Sequence, residues 1–127
     1  MRYIKTTTKS VDQATQDLEA AVLRHQFGVL HVHNLKETMN KKGVAFDNDC
    51  RILEVCNPHQ AKKVLTEDMT INMALPCRLS VWSEQGITHI GMLRPTLLLK
   101  MFSDSAALAA VAEEVEAATK AMIEEAL

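Results

Sequence analysis

Cys77-Arg-Leu-Ser-Val-Trp-Ser-Glu-Gln-Gly-Ile-Thr-His-Ile-Gly-Met-Leu93 is the stretch on which the fold class turns. Cys77 to Ser83 alternates in polarity, Ile87 to Leu93 reads as a further strand, and Glu84-Gln85-Gly86 between them has the chemistry of a hairpin turn. Two strands joined so closely must be antiparallel. Upstream, Arg51 to Cys56 reads as another strand. Asn57, Pro58 and Gln60 then form a helix start, with Asn57 as cap, Pro58 at the first helical position and Gln60 closing an Asn-x-x-Gln box. This helix is expected to run to about Thr66. Residues 67 to 76 are ambiguous between a further turn and loop, and Pro76 ends them.

Nearer the N-terminus, residues 2 to 8 suit a first strand, and Ser10 three residues before Gln13 predicts a capped helix over about 10 to 26. Phe27 to His33 is expected as a strand with Leu30 and Val32 on one face and Val29, His31 and His33 on the other. Leu35 to Lys42 is helix-compatible, and Val44 to Asp49 is loop-like. Downstream of the hairpin, Thr96 to Phe102 is apolar and reads as a strand or a short buried helix. Ser103 offers a cap for a last helix whose stripe is Leu108, Val111, Val115, Ala118, Met122 and Ala126. Helices at both ends around an antiparallel hairpin predict an α+β layer structure.

The 127 residues suffice for one domain, 1 to 127, with a sizeable core. Hydrophobic residues at 47% and charged residues at 24% exclude a disordered chain. No apolar run approaches the roughly 20 residues a membrane span requires, and the N-terminus has no apolar region behind its charges. Three scattered cysteines fit reduced thiols better than a secreted disulfide framework, so the expectation is a cytoplasmic protein. The net charge of −2 divides into −5 over residues 103 to 127 and +3 over residues 1 to 102. The basic residues form no stripe and aromatic residues are only 4%, which argues against nucleic acid as a partner. The four glycines form no phosphate-binding loop, and neither a GxSxG elbow nor an HExxH pattern occurs.

Cys56 stands where a strand ends and a helix begins, a position that favours a thiolate through the helix dipole and free backbone donors. Cys77 opens a later strand. If the two strands are antiparallel neighbours, both thiols face one pocket, and Cys56 and Cys77 are the candidate catalytic residues. The competing reading is that both are small buried hydrophobes. Asn57, His59 and Arg78 adjoin them in sequence and are the candidate ligand-binding residues. His31 and His33, two apart on one strand, are the candidate metal ligands, although a solvated strand face also explains them. Cys50 has no visible partner, His25 suits a helix C-terminus, and His89 has no evident role.

The blocks Val55-Cys56-Asn57-Pro58, with Ala61 and Leu65 following, and Leu75-Pro76-Cys77-Arg78 resemble the bacterial family known as domain of unknown function 302. The likeness extends to the Phe27-Gly28-Val29-Leu30 segment, Lys36 to Gly43 and the acidic, alanine-rich last helix. It implies a TATA-binding-protein-like fold, a curved antiparallel sheet of about five strands with the terminal helices on one face, and a tendency to homodimerise. It implies no activity and no cofactor, and a shared fold does not imply DNA binding. The His31-Val32-His33 pair is not part of the resemblance.

Three functions compete on this reading. The first is a homodimeric module with a small-molecule or thiol-chemistry pocket around Cys56 and Cys77. The second is a soft-metal or haem protein using those cysteines, His59 or the His31/His33 pair. The third is a structural or partner-binding domain in which the cysteines only fill space.

Overall fold

In the computed structural model, which describes all residues Met1–Leu127, the chain runs β1 (Arg2–Thr7), α1 (Val11–Arg24), β2 (Gly28–Asn34), α2 (Leu35–Lys41), β3 (Cys50–Cys56) and α3 (Pro58–Glu67). A 3₁₀ segment over Met69–Ala74 leads into β4 (Cys77–Glu84), β5 (Ile87–Leu93), α4 (Pro95–Lys100) and α5 (Ala106–Ala126). The five strands make one fully antiparallel sheet in the order β1-β5-β4-β3-β2. This is an α+β fold.

The hairpin turn is tighter than three residues. Glu84 pairs with Ile87, leaving Gln85 (φ 52°) and Gly86 (φ 78°) as the loop, and two positive φ values match the right-handed twist of the strands. The residues 67 to 76 resolve into the last turn of α3 and the 3₁₀ segment, with Ile71 buried. Thr96 to Phe102 belongs mainly to the short helix α4, which buries Leu99. Ser105, not Ser103, caps α5: its Oγ accepts from the Leu108 N–H, while the Ser103 Oγ accepts from the Ser105 N–H.

Alternation divides the sheet. Leu53, Val55, Leu79, Val81, Ile90 and Met92 share the face against α1 and are buried with Leu18, Val22, Met122 and Ile123. The helix α1 contacts β2 through β5, and α5 packs against α1, α3 and α4 and buries Met122 and Ile123 in the same core. Two ties hold α5 in register with the rest. Arg24 and His25 at the end of α1 both bond Glu125, whose carboxyl is held low chiefly by His25. Lys9 Nζ reaches the Ala126 carbonyl at 3.0 Å. No helix is long and apolar enough to cross a membrane.

In β2 the expected alternation fails at one residue. The register shifts between Val29 and His31, so Leu30 is a bulge and lies 61% exposed. Val29 therefore pairs with core Val55 and Val32 with core Leu53, whereas His31 and His33 pair with Glu54 and Ile52 on the other face. The two histidines do share a face, but without Val29.

One buried carboxylate joins the helical layer to the end of β5. Glu116 of α5 is 6% exposed and accepts from Thr96 N and Oγ1, from Arg94 Nε and Nη2, and ion-pairs with Lys120. Burial alone pushes this carboxyl up, but the bonds from Thr96, Arg94 and Lys120 outweigh it and hold it down at about 2. Because the folded value lies below the unfolded one, the contribution is complete above the ordinary carboxylate range and is lost as pH falls from there toward 2. Glu116→Ala is expected to cost about 2 kcal/mol or more at pH 7, since it leaves the donors around α4 unmatched. Urea denaturation at pH 7 and pH 3 checks it, and the gap between the variant and the parent chain should narrow at pH 3.

Candidate functional site

The register that builds the core also places the cysteines. Val55 lies opposite Cys77, so the end of β3 and the start of β4 adjoin, and Cys56 is the next residue along. Both thiols line a cavity of about 770 Å³ at this end of the sheet. Its walls come from both faces, meeting around the strand ends. Val55, Leu79 and Met92 contribute from the helix-covered side, and Ile4, Trp82 and Leu93 from the opposite side. The helices α3, α4 and α5 add Val64, Leu98, Phe102 and Val115. Twenty of the 29 lining residues are hydrophobic, the balance expected of a site for a largely apolar molecule.

Gly91 shapes the floor on the side away from α1. It pairs with Ile4 and with Ser80. A Cβ there would stand 3.0 Å from the Tyr3 carbonyl oxygen, 3.1 Å from Ile4 Cγ1 and 3.3 Å from Trp82 Cη2. Glycine therefore lets Ile4 and Trp82 close over the sheet. The Trp82 ring is stacked on His89 at 5.2 Å and 13°, which gives His89 a partner its sequence position did not reveal.

The two cysteines are not equivalent. Cys77 is in phase with Leu79 and Val81 and packs against the core. Burial, and then the nearby Cys56, push its thiol up to about 11, so it is a neutral thiol at physiological pH. The packing that brings Cys77 to the cavity also keeps it protonated. Cys56 is half-buried at the cavity wall, next to the cap of α3. Cys50 is the first residue of β3, opposite Trp82, and not a loop residue; its thiol is raised by burial against a smaller opposing effect of Arg51.

The candidate ligand-binding residues separate. Asn57 lines the cavity but is committed to the fold: Oδ1 accepts from the His59 and Gln60 N–H groups, and Nδ2 donates to the Gln26 carbonyl. His59 is exposed and does not line the cavity, so the thiol–imidazole grouping does not form. Arg78 does line it. His31 and His33 meet edge to face at 4.3 Å, and His33 Nε2 lies 2.9 Å from Glu54 Oε1, but neither lines the cavity. No group of three His, Cys, Asp or Glu side chains is arranged to hold a metal ion.

Two lining residues were not singled out by sequence. Gln60 was read only as the return half of a capping box. Its Nε2 instead donates to Glu114 Oε2 at 2.8 Å, and its buried Oε1 has no partner. The first box is likewise half made: Ser10 Oγ accepts from the Gln13 N–H, but Gln13 Nε2 donates to Asp17 Oδ1 and its side-chain oxygen accepts nothing from the residue 10 N–H. In both cases a carboxylate accepting from the NH₂ group turns the amide away from the cap. Arg2, at the start of β1, also lines the cavity, and nothing local in its strand context signals this.

A family model described as "Domain of unknown function DUF302" matches residues 3–126. Among solved structures, the crystal structure of an uncharacterized conserved protein DUF302 from Bacillus stearothermophilus is similar at 33% identity and a TM-score of 0.93. The match covers 99% of this chain and 98% of that one. No curated protein matches the chain.

The inequality of the thiols is measurable. A thiol ionising near 11, against an ordinary 9.0, carries about a hundredfold less thiolate at neutral pH. Peptide-level mass spectrometry after iodoacetamide treatment of the folded protein at pH 7.5 should find Cys77 alkylated about a hundredfold more slowly than a free model thiol, with Cys56 reacting first. Rates equal within threefold at Cys56, Cys50 and Cys77 would contradict this account of the site.

Proposed function

The chain belongs to the DUF302 family, whose name carries no activity, and on the geometry of its own cavity we propose that it is a small-molecule-binding module. One observation carries this reading: an apolar cavity of about 770 Å³ whose wall holds a buried carbonyl oxygen, Gln60 Oε1, that no donor of the chain reaches. A buried acceptor without a partner costs about 1–3 kcal/mol, and a ligand that supplies one donor to it recovers that cost. The expected ligand is thus mainly apolar with at least one N–H or O–H group. The cavity volume falls within the range of known small-molecule sites.

Thiol chemistry, where it accompanies binding, falls to Cys56, because Cys77 is held neutral. The soft-metal alternative has less support, because no group of three His, Cys, Asp or Glu side chains is arranged to hold an ion. Self-association into a homodimer belongs to the same reading. It is supported by Ile87, which lies outside the cavity, is 49% exposed on the sheet face away from α1 and offers a second copy an apolar contact.

N-phenyl-1-naphthylamine, a neutral aromatic with one N–H donor, tests the cavity. Saturable binding of about one molecule per chain is expected, with a rise in fluorescence. Gln60→Leu should weaken that binding several-fold with little change in the thermal midpoint, since removal of an unmet acceptor offsets loss of the bond to Glu114. Absence of saturable binding to the parent chain would refute the proposal. For self-association, light scattering at micromolar concentration should return twice the 14.1 kDa chain mass, and Ile87→Lys should shift it toward one chain.

A further inference from the structure

The charges at the mouth of the cavity indicate what kind of molecule enters it. The chain has five arginines. Three are paired with carboxylates of the same chain: Arg24 with Glu125, Arg51 with Asp12, and Arg94 with Glu116. Arg2 and Arg78 make no ion pair and no hydrogen bond through their side chains, and these two are the arginines that line the cavity. In a chain whose acidic residues outnumber its basic ones, 16 to 14, this selection runs against the general charge balance.

Their placement is specific. Arg2 pairs with Leu93 across the β1/β5 ladder. Ser80 pairs with Gly91 across β5/β4, so two residues further on Arg78 stands in the same cross-strand row as Leu93. Both guanidinium-bearing residues thus lie on the face away from α1, in one row, separated by the single strand β5. Two strand spacings put their backbones roughly 10 Å apart, close enough for two long side chains to converge on one anion above Leu93. Arg78 lies opposite Glu54, whose carboxylate is bonded to His33 and held low by it first and by the charge of Arg78 to a lesser degree, with no direct ion pair between Arg78 and Glu54. Within the same cavity, Ile4, Trp82 and Leu93 are the apolar surface between and behind the two arginines.

We infer that the cavity takes an amphipathic anion: an apolar chain or ring system in the cavity, with a carboxylate or phosphate monoester head held between Arg2 and Arg78. Guanidinium forks suit either head, because both present paired oxygens to parallel N–H donors. This inference rests on the cavity being a binding site, and it adds the charge and position of the head. It also predicts salt sensitivity, since both arginines sit at the exposed rim.

Calorimetric titration with decanoate, decyl phosphate and decanol, each below its aggregation concentration, separates the two claims. Decanoate or decyl phosphate should bind at least tenfold more tightly than decanol. The R2Q/R78Q double variant, both positions being exposed, should lose roughly that factor for the anions and nothing for decanol. Circular dichroism and the thermal midpoint of the variant confirm that it is folded. Decanol binding as tightly as the anions, or an unchanged anion affinity in the double variant, overturns this inference while leaving the cavity reading intact. Binding of none of the three overturns both. A preference between decanoate and decyl phosphate identifies the head and supports the inference either way.

Discussion

The antiparallel register of β3 against β4 is the constraint on which the remaining structure depends. Leu53 opposite Leu79 and Arg51 opposite Val81 put the central apolar side chains on one face, under α1. Because strand side chains alternate, a slip of one residue would turn Leu53, Val55, Leu79 or Val81 out of the core, so the register is strongly specified. The same pairing brings the end of β3 beside the start of β4. That one fact positions Cys56, Cys77 and the first turn of α3 around a single cavity and sends Arg78 to the opposite face with Ser80 and Trp82. Core and candidate site are consequences of one ladder.

Two buried polar groups in this fold are treated in opposite ways. Glu116 is an ionised carboxylate in the helical layer, and it is surrounded by donors from Arg94, Thr96 and Lys120 until its ionised form is favoured. Gln60 Oε1 is a neutral acceptor on the adjacent helix α3 and has none. A fold able to satisfy the more demanding group has the means to satisfy the lesser one. An acceptor left open on the wall of a cavity is therefore consistent with a partner arriving from outside, whereas the Glu116 cluster has the completeness expected of a structural tie.

Much of the fold was legible where local chemistry and burial agree. The hairpin followed from Glu84-Gln85-Gly86 between two strands, the start of α3 from Asn57-Pro58, and the stripe of α5 from its spacing; each rests on contacts within a few residues. The adjacency of Cys56 and Cys77 was legible only conditionally, since it required β3 and β4 to be antiparallel neighbours, and sequence spacing does not decide sheet order. The misreadings have a common cause. Leu30 became a bulge because β2 must keep both Val29 and Val32 over core partners. Gln60 and Gln13 left their boxes because their NH₂ groups bond the carboxylates of Glu114, from a distant helix, and Asp17, one turn along, and so orient the amides away from the caps. His89 found Trp82 across a strand pair.

The amino-acid sequence by itself determined the element types, the α+β class and the position of a reactive residue type at a strand–helix junction, because periodicity, capping and turn residues act over short range. Only the tertiary structure decided which faces those elements show one another. It buried Cys77 to the point of neutrality, removed His59 from the site, and aligned Arg2, the second residue of the chain, with Arg78 across an intervening strand. Burial and cross-strand proximity are properties of the assembled sheet, set by strand order and register, and no local pattern of residues encodes them.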